Sequence, residues 1–273
     1  MEKKVNETKR IFDAIENGNT ELVKKLIGGG INVNTRDEKN TSPPHAAVCG
    51  RQAEIVKFLL DNGADANAED YETFIPLHYA VKKERTEIVK ILLEHGADAK
   101  KAERTGITPF CLAVMGVEED GGKMAKFMLE NGVDVNAECE KGFAEIHYLS
   151  SIYDNVSVVK FLLENGADVN AHASVNGATA LHLAVRNSNF EIAKLLLANG
   201  ADVNTVDERG MTPLHYCARY TEDNTEMAEL LIENGADLQA KSKLGTIPFM
   251  DAFIVGNFCL APLLDNRKNR TQS

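Results

Sequence analysis

The sequence predicts an all-α repeat solenoid, built from stacked helix-turn-helix units joined by short β-hairpin loops. Three observations carry this expectation. Seven glycines, Gly30, Gly63, Gly96, Gly132, Gly166, Gly200 and Gly235, recur at intervals of 33, 33, 36, 34, 34 and 35 residues, and a fixed period of this length marks stacked repeats. Each follows an apolar helix end such as FLLDNG, ILLEHG or FLLENG, where a residue free to take a positive φ stops the helix without a Cβ penalty. After the glycines come, in turn, INVN, ADAN, ADAK, VDVN, ADVN, ADVN and ADLQ.

The clearest copy of the whole pattern is residues 195–218, LLLANGADVNTVDERGMTPLHYCA. Leu195, Leu196 and Leu197 close an apolar helical stripe that ends at Gly200. After the turn around Gly210, the Thr212 hydroxyl is placed to cap the next helix, with Pro213 at the first helical position where its missing N–H costs nothing. His215, three residues after the cap, is placed to reach back toward it as in a capping box. TPLH stands intact at residues 212–215, and weakened copies are IPLH at 75–78, TPFC at 108–111 and TALH at 179–182. On these motifs the chain resembles the ankyrin-repeat family, whose signature is TPLH at one helix start and GADVN at the next hairpin. The resemblance extends from about Thr8 to about Leu264. It implies about eight mostly helical repeats forming a curved solenoid, and non-catalytic protein binding through hairpin tips and a concave surface, as scaffold, adaptor or inhibitor. Some family members of similar length and acidity mask a Rel-type transcription factor, although no residue here selects that role.

Composition sets further bounds. At 273 residues, 44% apolar and 26% charged, the chain has enough apolar material for a continuous core, and a repeat array needs no division, so residues 1–273 read as a single domain. The formal charge of −11 argues against nucleic acid as a partner, because phosphates would be repelled. Five scattered cysteines without a CxxC pair fit reduced thiols in the cytoplasm or nucleus. The amino terminus, MEKKVNETKR, leads into no apolar run of signal-peptide length. The apolar stretch at 249–264 is shorter than a membrane span and contains Asp251, Asn257 and Pro262, so it reads as a packed repeat, with no membrane partner.

The repeats are expected at 8–34, 37–67, 70–100, 103–136, 140–170, 175–204, 207–239 and 243–264, with 265–273 a disordered polar tail. The first places Ile11, Phe12, Ala14 and Ile15 on one helix and Leu22, Val23, Leu26 and Ile27 on the next, with a polar outer face suited to an end of the stack. In the second and third, Ile55, Phe58 and Leu59, and Ile88, Ile91 and Leu92, follow the i, i+3, i+4 spacing of a buried face. The second opens on SPPH, whose extra proline should pack its first turn less well. The fourth is lengthened by GVEEDGG, an expected acidic loop, and the fifth carries Leu149 where a small alanine is usual, a change that must be absorbed or push helices apart. In the eighth, Pro262 requires a short helix, or one that begins late with Pro262 in its first turn.

Candidate chemistry is sparse. His45, His78, His147, His182 and His215 share one repeat position, about 8 to 10 Å from each other in a stack, too far apart to hold one metal, so they read as capping residues. His95 suits the negative end of a helix, and no role is assigned to His172. GVEEDGGKM lacks the spacing and the Ser or Thr of a phosphate loop. DNGADANAEDYE has Ala66 where a calcium loop needs glycine. No catalytic nucleophile motif is present, and no cofactor, metal or catalytic residue is expected.

The expected functional surface is therefore a partner-binding one. Acidic tips at Glu69, Asp70, Glu72, Glu138 and Glu140, with Tyr71 and Phe74 as aromatic anchors, suit a basic or mixed segment of another protein. The apolar last repeat, with Phe253 and Ile254, suits a partner, a further domain or weak self-association of an otherwise monomeric chain. A passive spacer or targeting segment of a longer, enzymatic chain is the alternative of another class. From the resemblance alone, Asn136, Asn170 and Asn204 occupy the place that an asparaginyl hydroxylase modifies in some family members.

Overall fold

The computed structural model describes residues 2–117, 122–139, 141–152, 156–220 and 224–265, with side chains from residue 7 onward. Sixteen helices and no strand occur among the described residues. The chain divides into two compact units, residues 1–134 and 135–273.

In the first unit α1 (Glu2–Glu16), α3 (Pro43–Cys49), α5 (Pro76–Lys82) and α7 (Pro109–Met115) lie side by side in one layer. A second layer holds α2 (Thr20–Gly28), α4 (Ala53–Asp61), α6 (Thr86–Glu94) and α8 (Lys123–Glu130). The second unit repeats the plan. Its first layer is α9 (Glu145–Ile152), α11 (Ala180–Arg186), α13 (Pro213–Tyr220) and α15 (Pro248–Val255), and its other helices are α10 (Val156–Glu164), α12 (Phe190–Ala198), α14 (Thr225–Glu233) and α16 (Ala261–Leu264). Inner helices of seven or eight residues could not hold a helical conformation alone. They persist because proline or a cap starts them and their neighbours bury them.

The seven periodic glycines take φ values between 77° and 95°, the left-handed conformation that ends each second helix. At Gly200 a Cβ would meet nothing within 4 Å, so backbone conformation alone calls for glycine; at Gly210 (φ +71°) a Cβ would also come within 2.9 Å of the Lys243 backbone nitrogen. The hairpin loops form no strands. Single bonds such as Asp70 N–H to Phe74 O at 3.0 Å and Asp207 N–H to Met211 O at 3.0 Å close them, with one isolated bridge between Glu138 and Ala144.

The buried stripe of the second helices differs from the expected one. Ile55, Val56, Leu59 and Leu60 are buried on α4, as are Ile88, Val89 and Leu92 on α6, whereas Phe58 and Ile91 are only half-buried. A residue turns about 100° around an α-helix, and a helix flanked by its own partner and by neighbouring second helices buries a broad arc that begins at Ile55 and runs past Val56. Phe58 falls just outside it on the other side. Other details match expectation: Ile11, Phe12, Ala14 and Ile15 are buried, Leu149 is accommodated at 5% exposure, and Pro262 sits in the first turn of the four-residue α16. The extra proline of SPPH, Pro44, is buried inside α3. Residues 118–121 of the acidic insertion, Glu140 and the tail from residue 266 lie outside the described residues.

The last helix pair contains a buried mismatch. Asp251 on α15 occupies the repeat position of Leu183 and Tyr216, is 1% exposed, and neither carboxylate oxygen accepts a hydrogen bond. Its ion-pair partner is Arg219, with Nη1 3.6 Å from Oδ1. A buried carboxylate without hydrogen bonds is costly, while Arg219 is one-third exposed and stays solvated without it. Asp251→Leu is therefore expected to stabilise the chain by about 1 to 3 kcal/mol, read as a higher thermal midpoint by circular dichroism. A lowered midpoint would show that the Arg219 contact outweighs the desolvation of the acid.

Candidate functional site

Which polar groups remain free for a partner depends first on which are consumed by the fold. The five repeated histidines are consumed entirely. In each, Nδ1 accepts the backbone N–H three residues earlier, from Ser42, Ile75, Ala144, Thr179 and Thr212, at 3.1 to 3.3 Å. Nε2 then donates to a carbonyl of the following hairpin: Phe74, Ile107, Ala171, Met211 and Thr246, at 2.8 to 3.2 Å. A ring that accepts at Nδ1 and donates at Nε2 is neutral, with its tautomer fixed. The reach back to the cap follows from the sequence; the second bond, to the next repeat, does not.

The Thr212 hydroxyl caps the helix as expected, and it does a second job as well. Its Oγ1 accepts the His215 N–H at 3.4 Å and lies 2.9 Å from His215 Nδ1, so it both caps the helix and hydrogen-bonds the imidazole. Thr108 shows the alternative: with Cys111 in place of histidine, its Oγ1 accepts the Cys111 N–H at 2.9 Å.

The hairpin asparagines form a second ladder. Asn34, Asn67, Asn136, Asn170 and Asn204 each donate through Nδ2 to the glycine carbonyl of the next hairpin at 2.9 to 3.0 Å. Each also accepts, through Oδ1, the N–H of the aspartate two residues beyond that glycine at 2.7 to 2.8 Å. The three candidate hydroxylation residues, Asn136, Asn170 and Asn204, are thus gripped at both ends of their amides. Lys100 stands at the same position in the third hairpin, and an ammonium has no acceptor for the second bond.

The acidic tips are less free than their charge suggests. Asp70 Oδ1 accepts the N–H groups of Glu72 and Phe74 at 2.9 and 3.0 Å, and Oδ2 accepts the Tyr79 hydroxyl at 2.7 Å. Burial and the Asp70 carboxylate push the Tyr79 phenol far up. Glu69 pairs with Lys101 at 2.9 Å, and Glu138 accepts the Ser174 N–H at 3.0 Å. Phe74 is half-buried with its ring 5.1 Å from His78 and 5.7 Å from Tyr79, so it packs the tip from below. What projects is Tyr71, 64% exposed, and Glu72. They precede Thr73 at φ +65°, a strained conformation for a β-branched residue. Glu140 lies outside the described residues.

Elsewhere, Phe253, Ile254 and Phe258 are 61%, 64% and 62% exposed on the last helix pair. A cavity of about 300 Å³ between the third and fourth helix pairs is lined by Val81, Leu112, Met115 and Met124, with Lys82 and Glu84 as the ionisable residues among the described ones. His95 hydrogen-bonds the Ile91 carbonyl at 2.7 Å and Asp61 at 3.0 Å, in keeping with its place at a helix end. The Asp61 hydrogen bond raises the His95 pKa. His172 bonds the Gly177 carbonyl at 2.7 Å. No group of three or more metal-ligating side chains occurs among the described residues, and none of their helices is long and apolar enough to cross a membrane.

The histidine ladder makes stability depend on pH. Burial lowers His45 and His182 from 6.5 to about 4, against the pull of their carbonyl partners, and lowers His78 and His147 in the same direction. An unfolded chain therefore takes up protons first, and the stability present above pH 6.5 falls away as pH drops from there toward 4. For His45 and His182 the loss is on the order of 1 kcal/mol each at pH 5.5. Urea unfolding at pH 7.5 and 5.5 is expected to show it, and His182→Gln is expected to be less stable at pH 7.5 but to lose less between the two. Equal pH dependence in that variant would dissociate the ring from the effect.

A family model described as ankyrin repeats (3 copies) matches residues 11–103 and 146–242, more than half of the chain. No curated protein matches it.

Proposed function

Because the chain belongs to the ankyrin-repeat family, whose repeats generally mediate protein–protein interaction and are typically non-catalytic, we propose that it is a binding module of the scaffold, adaptor or inhibitor kind. Its partner is a protein segment held at the tip of the second inter-repeat hairpin. The observation that carries this reading is the contrast within residues 69–74. Asp70 is committed to three hydrogen bonds and Glu69 to Lys101, while Tyr71 projects with 64% of its surface exposed. A large aromatic on a turn already fixed by its neighbours loses little conformational freedom on binding, and such side chains dominate interface energetics. Glu72 beside it favours a basic or mixed partner segment.

A second surface is favoured by the exposed Phe253, Ile254 and Phe258. These make the last helix pair apolar where a free surface is usually polar.

Affinity capture from cell extract tests both. The control carries Tyr71→Ala with Glu72→Arg and leaves Asp70, which builds the turn, untouched. A partner held by the wild type is expected to bind the double variant about tenfold more weakly. Equal retention would reject the tip. Loss on Phe253→Ser with Ile254→Ser would move the site to the last helix pair, and an absence of partners from all three proteins would favour a passive spacer.

A further inference from the structure

The three arginines between residues 135 and 265 are Arg186, Arg209 and Arg219, and two of them meet at one tyrosine. The guanidinium carbons of Arg186 and Arg209 lie 5.4 and 5.9 Å from the centre of the Tyr220 ring. Arg209 is fixed in place: Nε donates to Asp207 at 3.0 Å, Nη1 to the Tyr220 hydroxyl at 2.9 Å and Nη2 to the Tyr216 hydroxyl at 2.9 Å. The Tyr216 hydroxyl itself donates to Asp207 at 2.9 Å. The backbone of this tip is tied to the next, with Lys243 N–H donating to the Arg209 carbonyl at 2.8 Å.

Asp207 offsets the charge of Arg209. Arg186 is exposed at the end of α11, and among the described residues its contact is the Tyr220 ring, with no carboxylate or carbonyl accepting its N–H groups. An arginine fork with free donors matches the geometry of a carboxylate or a phosphate. A second guanidinium held within reach of the same ring reinforces it, and Arg209 loses no rotamer freedom on binding because the fold has already ordered it. We propose that the Arg186–Tyr220–Arg209 cluster receives an anionic side chain, carboxylate or phosphate, from a peptide segment of the bound partner. This rests on the reading of the chain as a protein-binding module. It adds a recognition point of opposite sign to the Glu72 tip.

The test uses the full chain and an immobilised library of ten-residue peptides, randomised at nine positions and carrying glutamate, phosphoserine or glutamine at the centre. The wild type is expected to retain peptides from the glutamate or phosphoserine set at least fivefold over the glutamine set, and the better set identifies the anion. Arg186→Gln is expected to weaken selected peptides about tenfold, with Arg186→Lys in between, because an ammonium keeps the charge without the fork. Retention that ignores the central charge, or that Arg186→Gln leaves unchanged, overturns the proposal while leaving the binding module intact. No retention from any set overturns both. Arg186 makes no hydrogen bond among the described residues, so the variants are expected to melt at the wild-type temperature, and loss of binding then reports recognition.

Discussion

A buried or half-buried backbone group must find a hydrogen-bond partner, and for the hairpin carbonyls of this chain that partner is a histidine of the preceding repeat. Each hairpin asparagine carries one amide, and that amide closes the glycine carbonyl and the aspartate N–H of the following hairpin, as Asn170 does with Gly200 and Asp202. Each capping histidine closes its own helix start with one nitrogen and the following hairpin with the other, as His182 does with Thr179 and Met211. A repeat of about 33 residues buries too little apolar surface to fold alone. Without a neighbour it also loses the histidine bond to a buried or half-buried hairpin carbonyl, while the exposed groups bonded by the asparagines turn to water. Apolar stacking and polar satisfaction therefore demand the same arrangement.

This constraint sorts the charged residues. Asp37, Asp70, Glu103 and Asp207 open their hairpins by accepting the N–H groups two and four residues on. For Glu103 and Asp207 burial alone would raise the pKa, but the Thr105 hydroxyl on Glu103, the Tyr216 hydroxyl and Arg209 on Asp207, and these backbone bonds together outweigh it and keep both carboxyls below their ordinary values. In two repeats the same acid also takes a tyrosine hydroxyl from nine residues ahead, Tyr79 to Asp70 and Tyr216 to Asp207. Acids that look like a binding face in the sequence are thus part of the scaffold, and the side chains left over are fewer: Tyr71, Glu72 and Arg186 among them.

The legible part of the sequence is whatever repeats or acts locally. The period, the glycine stops and the proline starts were readable because each is a rule about neighbouring residues, and so was the reach of His215 back to Thr212. Bonds to a backbone carbonyl 24 to 31 residues away have no sequence signature at the accepting end, since any residue supplies a carbonyl. The misassigned Phe58 and Ile91 share a different cause: a single-helix pattern cannot tell which flank a neighbouring helix will cover. The Arg186–Tyr220–Arg209 meeting was invisible for the same reason, as it joins the end of one inner helix to the end of the next.

The asparagine bonds and the histidine Nε2 bonds all reach one way, from the side chains of a repeat to the backbone of its successor. A repeat thus presents a fixed socket of backbone groups toward its predecessor and a fixed plug of side chains toward its successor. Within a unit, the exchange of one whole repeat for another that carries both the asparagine and the histidine keeps every plug facing a socket, whatever the tips carry. Loss of a single residue between Asn170 and Asp202 would instead mistime both. The molecule is therefore tolerant of rearrangement in steps of its own period and intolerant of smaller ones, much as a rack accepts shelves only at its drilled holes.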